Sequence, residues 1–184
     1  MGLFSRLFLG FIIVALFVGC SSKEEQALLK SYAENMSYHK RLQQTEKVEL
    51  TDSNASVVAI VTATYMYTPN FDKNDTRNER FIVGVNFEEP DFNSIKFTNT
   101  DTTDSSVYSL SMQGKDALKV KKLSLNDKKL EGISFVTQWG DYYEVTYPHI
   151  NNKRLFLELK NSSYGNARLN FAKVAKFVYT KKGF

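Results

Sequence analysis

The spacing of apolar and polar residues changes character twice along this chain. Leu7 to Val18 is an uninterrupted uncharged run. From about Lys23 to Gln44 the residues Leu28, Leu29, Tyr32, Met36 and Leu42, with His39 among them, recur with a period near 3.6 and share one stripe, the pattern of an amphipathic helix. Ser22 and Glu25 supply the Ser-x-x-Glu form of a capping box at its start. From Lys47 onward the period becomes two, that of strands with one face toward a core.

Within the alternating region the pattern predicts a series of strands. Val48 and Leu50 begin it, and Ser56 to Thr68 is β-branched and apolar on both faces, which marks a central strand ended by Pro69. Arg80 to Phe87 follows, with Phe81, Val83, Val85 and Phe87 on one side, broken by Glu88-Glu-Pro-Asp91. Further strands are expected over 94–98, 107–112, 118–123, 132–139, 142–147, 154–160 and 167–179, the last also compatible with a helical face. Gly140-Asp141 between Trp139 and Tyr142 has the form of a two-residue hairpin loop, predicting a hairpin over Ile133 to Tyr147. Short strands at this spacing define a mainly β fold: an N-terminal amphipathic helix followed by an antiparallel β-sandwich. A half-open β-barrel covered by the helix is the alternative. The last positions alternate Lys176, Val178, Thr180, Lys182, which is no lipid-facing row of a membrane barrel.

The first segment places the protein. Arg6, the apolar run and the small Gly19 follow the order of a secretory signal, and the run is short of the about 20 residues that span a bilayer. Phe17, Val18, Gly19 and Cys20 occupy the places of a lipobox, with Phe17 where Leu is usual. This segment resembles the signal of bacterial lipoproteins. The resemblance covers the first 21 residues and implies cleavage between Gly19 and Cys20. It also implies a diacylglycerol thioether on Cys20, with an N-acyl chain such as palmitate to follow. Two or three acyl chains hold a protein on a membrane where one does not. Ser21 after the cysteine implies the outer membrane by the same resemblance. The expected organisation is a removed signal at 1–19, a lipidated N-terminus and helix at 20–45, and a β domain at 46–184.

Composition adds few constraints. The formal charge is +4, and loss of Arg6 with the signal lowers it by one; so mild an excess points to no nucleic-acid partner. Fourteen Phe and ten Tyr with only three Pro fit a folded β body. Cys20 is the only cysteine, so no disulfide forms within the chain.

Candidate chemistry is sparse. His39 and His149 are the only histidines and lie too far apart in sequence to form a zinc motif. No Gly-x-Ser-x-Gly is present. Asp72 to Glu79 alternates acids and amides but lacks the glycine and terminal glutamate of an EF-hand loop, and reads as a polar loop. Lysines 119, 121, 122, 128 and 129, with 173, 176, 181 and 182, read as a solvated face with edge-strand protection. Trp139, Tyr142 and Tyr143 flank the expected tight turn, where rings can project and anchor a partner. The expectation is a non-enzymatic binding or scaffolding lipoprotein of the cell envelope without cofactor or metal, facing the periplasm or the surface. Its partners would be the membrane, through covalent lipid, and an envelope protein or glycan. A carrier holding a lipid or lipoprotein in a half-open barrel is the alternative.

Overall fold

The computed structural model describes residues 44–67 and 75–173, which fall within one compact unit, Ser37–Phe184. Gly19, Cys20, the expected signal at 1–19, nearly all of the expected helix and the chain beyond 173 lie outside the described residues. Among the described residues nine strands are present: β1 Thr45–Thr51, β2 Val57–Tyr65, β3 Glu79–Phe87, β4 Ser94–Lys96, β5 Val107–Met112, β6 Lys119–Leu123, β7 Asp141–Tyr147, β8 Arg154–Asn161 and β9 Gly165–Ala172, with a single 3-10 turn at Lys128–Leu130. They form two sheets, one of five strands in the order β1-β2-β3-β7-β6 and one of four in the order β4-β5-β8-β9. The fold is mainly β. The edge strands β1 and β9 run close together but share no ladder, so no barrel closes among the described residues.

One core joins the two sheets. Val61, Ala63 and Tyr65 of β2, Phe81, Val83 and Val85 of β3, and Val145 and Tyr147 of β7 meet Tyr108, Leu110 and Met112 of β5, Leu155, Leu157 and Leu159 of β8, and Leu169 and Phe171 of β9. Tyr65, Phe81 and Phe171 pack ring against ring, with centroids 4.9 to 6.1 Å apart. The Tyr147 hydroxyl donates to the Leu110 carbonyl across the core at 2.9 Å, so its one polar atom is satisfied in burial.

Strand patterns follow from which faces are covered. The four-stranded sheet exposes its outer face, so β8 alternates strictly between buried Leu155, Leu157 and Leu159 and the more exposed Phe156, Glu158 and Lys160. Arg168 lies over the Phe156 ring and bonds Glu158 on that outer face. In the five-stranded sheet β3 is buried on both faces from Phe81 to Val85 because a second cluster covers the outer face: Ile82, Leu123 and Tyr142 pack against Leu130 and Ile133, with Phe135 and Val136 alongside. The segment 124–140 is therefore a lid of side chains rather than a strand. Gly84 permits this close approach, since a methyl there would sit 2.7 Å from the Phe135 ring and 2.9 Å from the Tyr142 ring.

Two expectations are corrected. Residues 132–139 form no strand, so there is no hairpin over Ile133 to Tyr147. Both edges of β7 are already taken, by β3 on one side and β6 on the other, and no edge remains for a hairpin partner. The four-stranded sheet is mixed and not purely antiparallel, because β4 pairs β5 in parallel. The connection 97–106 crosses from one end of the strands to the other, as a parallel pair requires. A tight turn does follow β5, at Gln113-Gly114, where φ is 48° and 75° and the backbones of Met112 and Lys115 exchange hydrogen bonds at 2.9 and 3.0 Å. Positive φ at both central residues is the type I′ geometry.

Candidate functional site

Trp139, Tyr142 and Tyr143 separate once the chain folds. Trp139 is 81% exposed. Tyr142 is 1% exposed; its hydroxyl accepts from the Thr137 amide at 2.6 Å and donates to the Thr137 carbonyl at 3.0 Å. That side chain ties the covering segment to the sheet and is closed to a partner. Tyr143 faces the core side, 5.1 Å from the Phe97 ring, with the Lys122 ammonium 5.9 Å from its centroid. Of the three aromatics only Trp139 is free to meet another molecule. The reason is strand alternation: consecutive residues 142 and 143 point to opposite faces of a sheet covered on both.

The lysine face is largely neutralised where it is described. Lys121 pairs with Asp127, Lys122 with Asp141 and Lys129 with Glu144. Asp127 also accepts from the Lys129 amide at 3.0 Å and so caps the 3-10 turn. This backbone bond first, then the Lys121 ammonium, holds the Asp127 carboxyl below the usual carboxylate range. Lys119 and Lys128 stay exposed.

A second group of residues comes together at the opposite end of the sheets. Glu79, at the start of β3, is only 3% exposed. One of its oxygens accepts from the Tyr65 hydroxyl. The other accepts from the Ile150 amide at 3.0 Å and the Lys173 ammonium at 2.5 Å, with His149 Nδ1 at 3.3 Å. Lys173 also donates to the Ile150 carbonyl. The His149 ring nitrogens face the Arg77 carbonyl at 3.0 Å and Asn151 Oδ1 at 2.9 Å. Burial first, and then the bond to Glu79, push the Tyr65 phenol far above its ordinary value. Arg77 grips Asp75 with two side-chain bonds of 2.7 and 2.8 Å and holds that carboxyl well below the usual range.

Of these, Tyr65, Asp75, Arg77, Glu79 and Lys173 line a recess of about 480 Å³ together with Met66, Tyr67, Asn78, Arg80 and Thr146. Chemically the arrangement is a strut. The Glu79 carboxylate is saturated by donors from β2, the 148–150 segment and the end of β9, so it has little capacity left to act as a base. Nothing in the sequence pattern marks it: Glu79 ends the polar loop, and its partners are 14, 71 and 94 residues away. Asp75 and Glu79, two acids of the stretch that superficially resembles a calcium loop, are both committed to protein partners. Among the described residues no group of three or more His, Cys, Asp or Glu is placed to hold a metal ion, and no helix is long and apolar enough to cross a membrane.

A polar recess of about 510 Å³ lies at the far end of the four-stranded sheet, beside Asp101, Lys160 and Asn161. The buried Asn161 amide is spent inside it, donating to the Ser105 carbonyl at 2.7 Å and accepting from the Ser163 amide at 2.9 Å. It organises two loops and offers no unused polar group. No protein-family model, curated protein or solved structure matches this chain.

Proposed function

We propose that this chain is a bacterial cell-envelope lipoprotein, cleaved after Gly19, held on the outer membrane by acyl chains on Cys20, and carrying one β-sandwich that serves as a non-enzymatic binding or scaffolding module. The observation that carries the reading is the uncharged run Leu7 to Val18 closed by Gly19 and by Cys20, the only cysteine of the chain. An unmodified thiol at the start of a secreted protein would be open to oxidation, whereas acylation uses it. The facing sheets with a shared aromatic core support the sandwich over the half-open barrel, and the packed interior supports a binding module over a lipid carrier. The commitment of Glu79, Asp75 and His149 to one another and to the backbone supports binding rather than catalysis. The partner belongs to the envelope and is a protein or a glycan.

Cys20→Ala with fractionation of cells tests the reading. The parent protein is expected in the membrane pellet, released by detergent and not by high salt. The variant is expected to stay at the higher mass of the uncleaved precursor. An identical gel mobility for the two, with unchanged membrane association, would overturn the anchor.

A further inference from the structure

Exposed large apolar side chains are not scattered over the described surface. Four of six gather at one end of the five-stranded sheet: Val57, Phe92, Leu125 and Trp139. Val57 begins β2, and Phe92 lies on the loop that leaves β3, whose Phe87 pairs with Ala59. Trp139 precedes β7, whose Asp141 pairs with Val85, and Leu125 follows β6, whose Leu123 pairs with Tyr142. The strands β2, β3, β7 and β6 are neighbours in that order. At about 4.8 Å between strands, the four ends span about 14 Å, the width of a compact binding patch.

The two aromatic rings stand out on loops that are fastened. Phe92 is 76% exposed, yet its amide donates to the Glu89 carbonyl at 3.2 Å, and the Glu88 amide donates to the Val58 carbonyl at 3.0 Å. Gly140, beside Trp139, sits so close to β3 that a methyl there would lie 3.0 Å from Asn86 Oδ1. Rings held outward by a bonded backbone lose little freedom on binding, and aromatic anchors dominate interface energetics.

Charge identifies the occupant. Glu88, Glu89 and Asp91 lie within four residues before Phe92 and are exposed. Their carboxylates have no hydrogen-bond or ion-pair partner among the described residues. Other acidic side chains there are paired: Glu49 with Lys47, Asp116 with Thr98, Asp101 with Lys160 and Glu158 with Arg168, and Glu46 and Glu131 also have interactions of their own. In a chain of net positive charge, unpaired carboxylates thus precede Phe92, a member of this apolar rim. Such a loop is repelled by an anionic lipid surface and attracted by lysine or arginine. The chain also reaches β1 at Thr45, which pairs with Thr64, at the other end of the strands. About 23 Å of β1 then separates that point from the patch, leaving the patch clear of the anchor's point of attachment to the sheet.

We propose that the end of the five-stranded sheet bearing Val57, Phe92, Leu125 and Trp139 is a docking surface for a protein that presents an apolar socket bordered by lysine or arginine side chains. The proposal deepens the binding-module reading above and rests on it for the partner's compartment. The test places photo-reactive benzoylphenylalanine at position 92, at position 139, and at exposed Asn152 on the opposite end, in the full-length lipidated protein in intact cells. Positions 92 and 139 are expected to capture the same protein, through peptides containing Lys or Arg, and position 152 is not. Combining Glu88→Lys, Glu89→Lys and Asp91→Lys is expected to cut capture at position 139 at least tenfold. The neutral set Glu88→Gln, Glu89→Gln and Asp91→Asn is expected to cut it by a smaller factor, and keeps the test decisive if the lysine set does not fold. Capture of lipid, of glycan or of a second copy of this chain would overturn the proposal. So would no capture at 92 and 139, equal capture at all three positions, or capture indifferent to every folded charge variant. Fractionation of the same cells reports anchoring separately, so failure of the anchor and failure of the docking surface are distinguishable.

Discussion

The Glu79–Lys173 pair offers a demanding test of how the two sheets are held at the end where β3 begins. Glu79 is 3% exposed and Lys173 is largely buried. One carboxylate oxygen takes both the ammonium and the Ile150 amide, and the other takes the Tyr65 phenol. Lys173→Met leaves the carboxylate buried without its counter-charge, and Glu79→Gln leaves the ammonium in the same position. Removing one partner of a buried pair costs about 3–5 kcal/mol, and Lys173, which touches solvent, belongs near about 3 kcal/mol on that scale. The double variant removes both charges while the Gln amide still meets the Ile150 amide and the Tyr65 hydroxyl. It should therefore be less damaged than the sum of the single variants by about 2–3 kcal/mol. Urea unfolding of the unlipidated chain 21–184, by linear extrapolation at neutral pH, measures all three. Single effects under about 1 kcal/mol, or a double variant equal to the sum within about 0.5 kcal/mol, would refute the argument.

Tyr142→Phe removes the acceptor of the Thr137 amide, so it should cost about 1–3 kcal/mol and raise hydrogen exchange across 133–139 more than across β2, an outcome reversed if 124–140 is not held by this phenol. Alkaline titration followed at the tyrosinate absorbance should leave several phenols un-ionised near pH 10: burial pushes Tyr108 up to about 12, and pushes Tyr147 and Tyr65 higher still. Because these folded values lie above the unfolded one, their stabilising contribution is complete below about pH 10 and is lost as pH rises above it. Uniform ionisation of all tyrosines near pH 10 in the folded protein would contradict the buried placement.

Much of the strand layout is legible in the residues themselves. The two-sided apolar run at 56–68 contains β2, the alternating run at 80–87 covers all of β3 except Glu79, and the alternation of Leu155 to Lys160 marks a strand with one wet face. Ile133 and Phe135 alternate as strand residues do, yet they bury against Ile82 and Tyr142 without joining a ladder. Apolar spacing records burial and is silent about whether backbone hydrogen bonds go to a neighbouring strand. The same limit hid the parallel β4–β5 pair, because a polar stretch such as 99–106 looks alike whether it turns back or crosses over. The residue pattern puts Trp139, Tyr142 and Tyr143 alike beside a hairpin turn that does not form, and does not tell which ring projects; folding leaves Trp139 exposed and buries Tyr142. The Glu79 network and the four-residue apolar rim are products of tertiary register, which brings residues 57, 92, 125 and 139 to adjacent strand ends.

The lipid anchor is tested most directly by mass spectrometry of the amino-terminal tryptic peptide of the protein extracted from membranes. The expected product is a peptide Cys20–Lys23 whose mass carries a diacylglycerol on sulfur and an acyl group on the new amino terminus. A chain that still begins at Met1, or a Cys20 with a bare thiol, would contradict it.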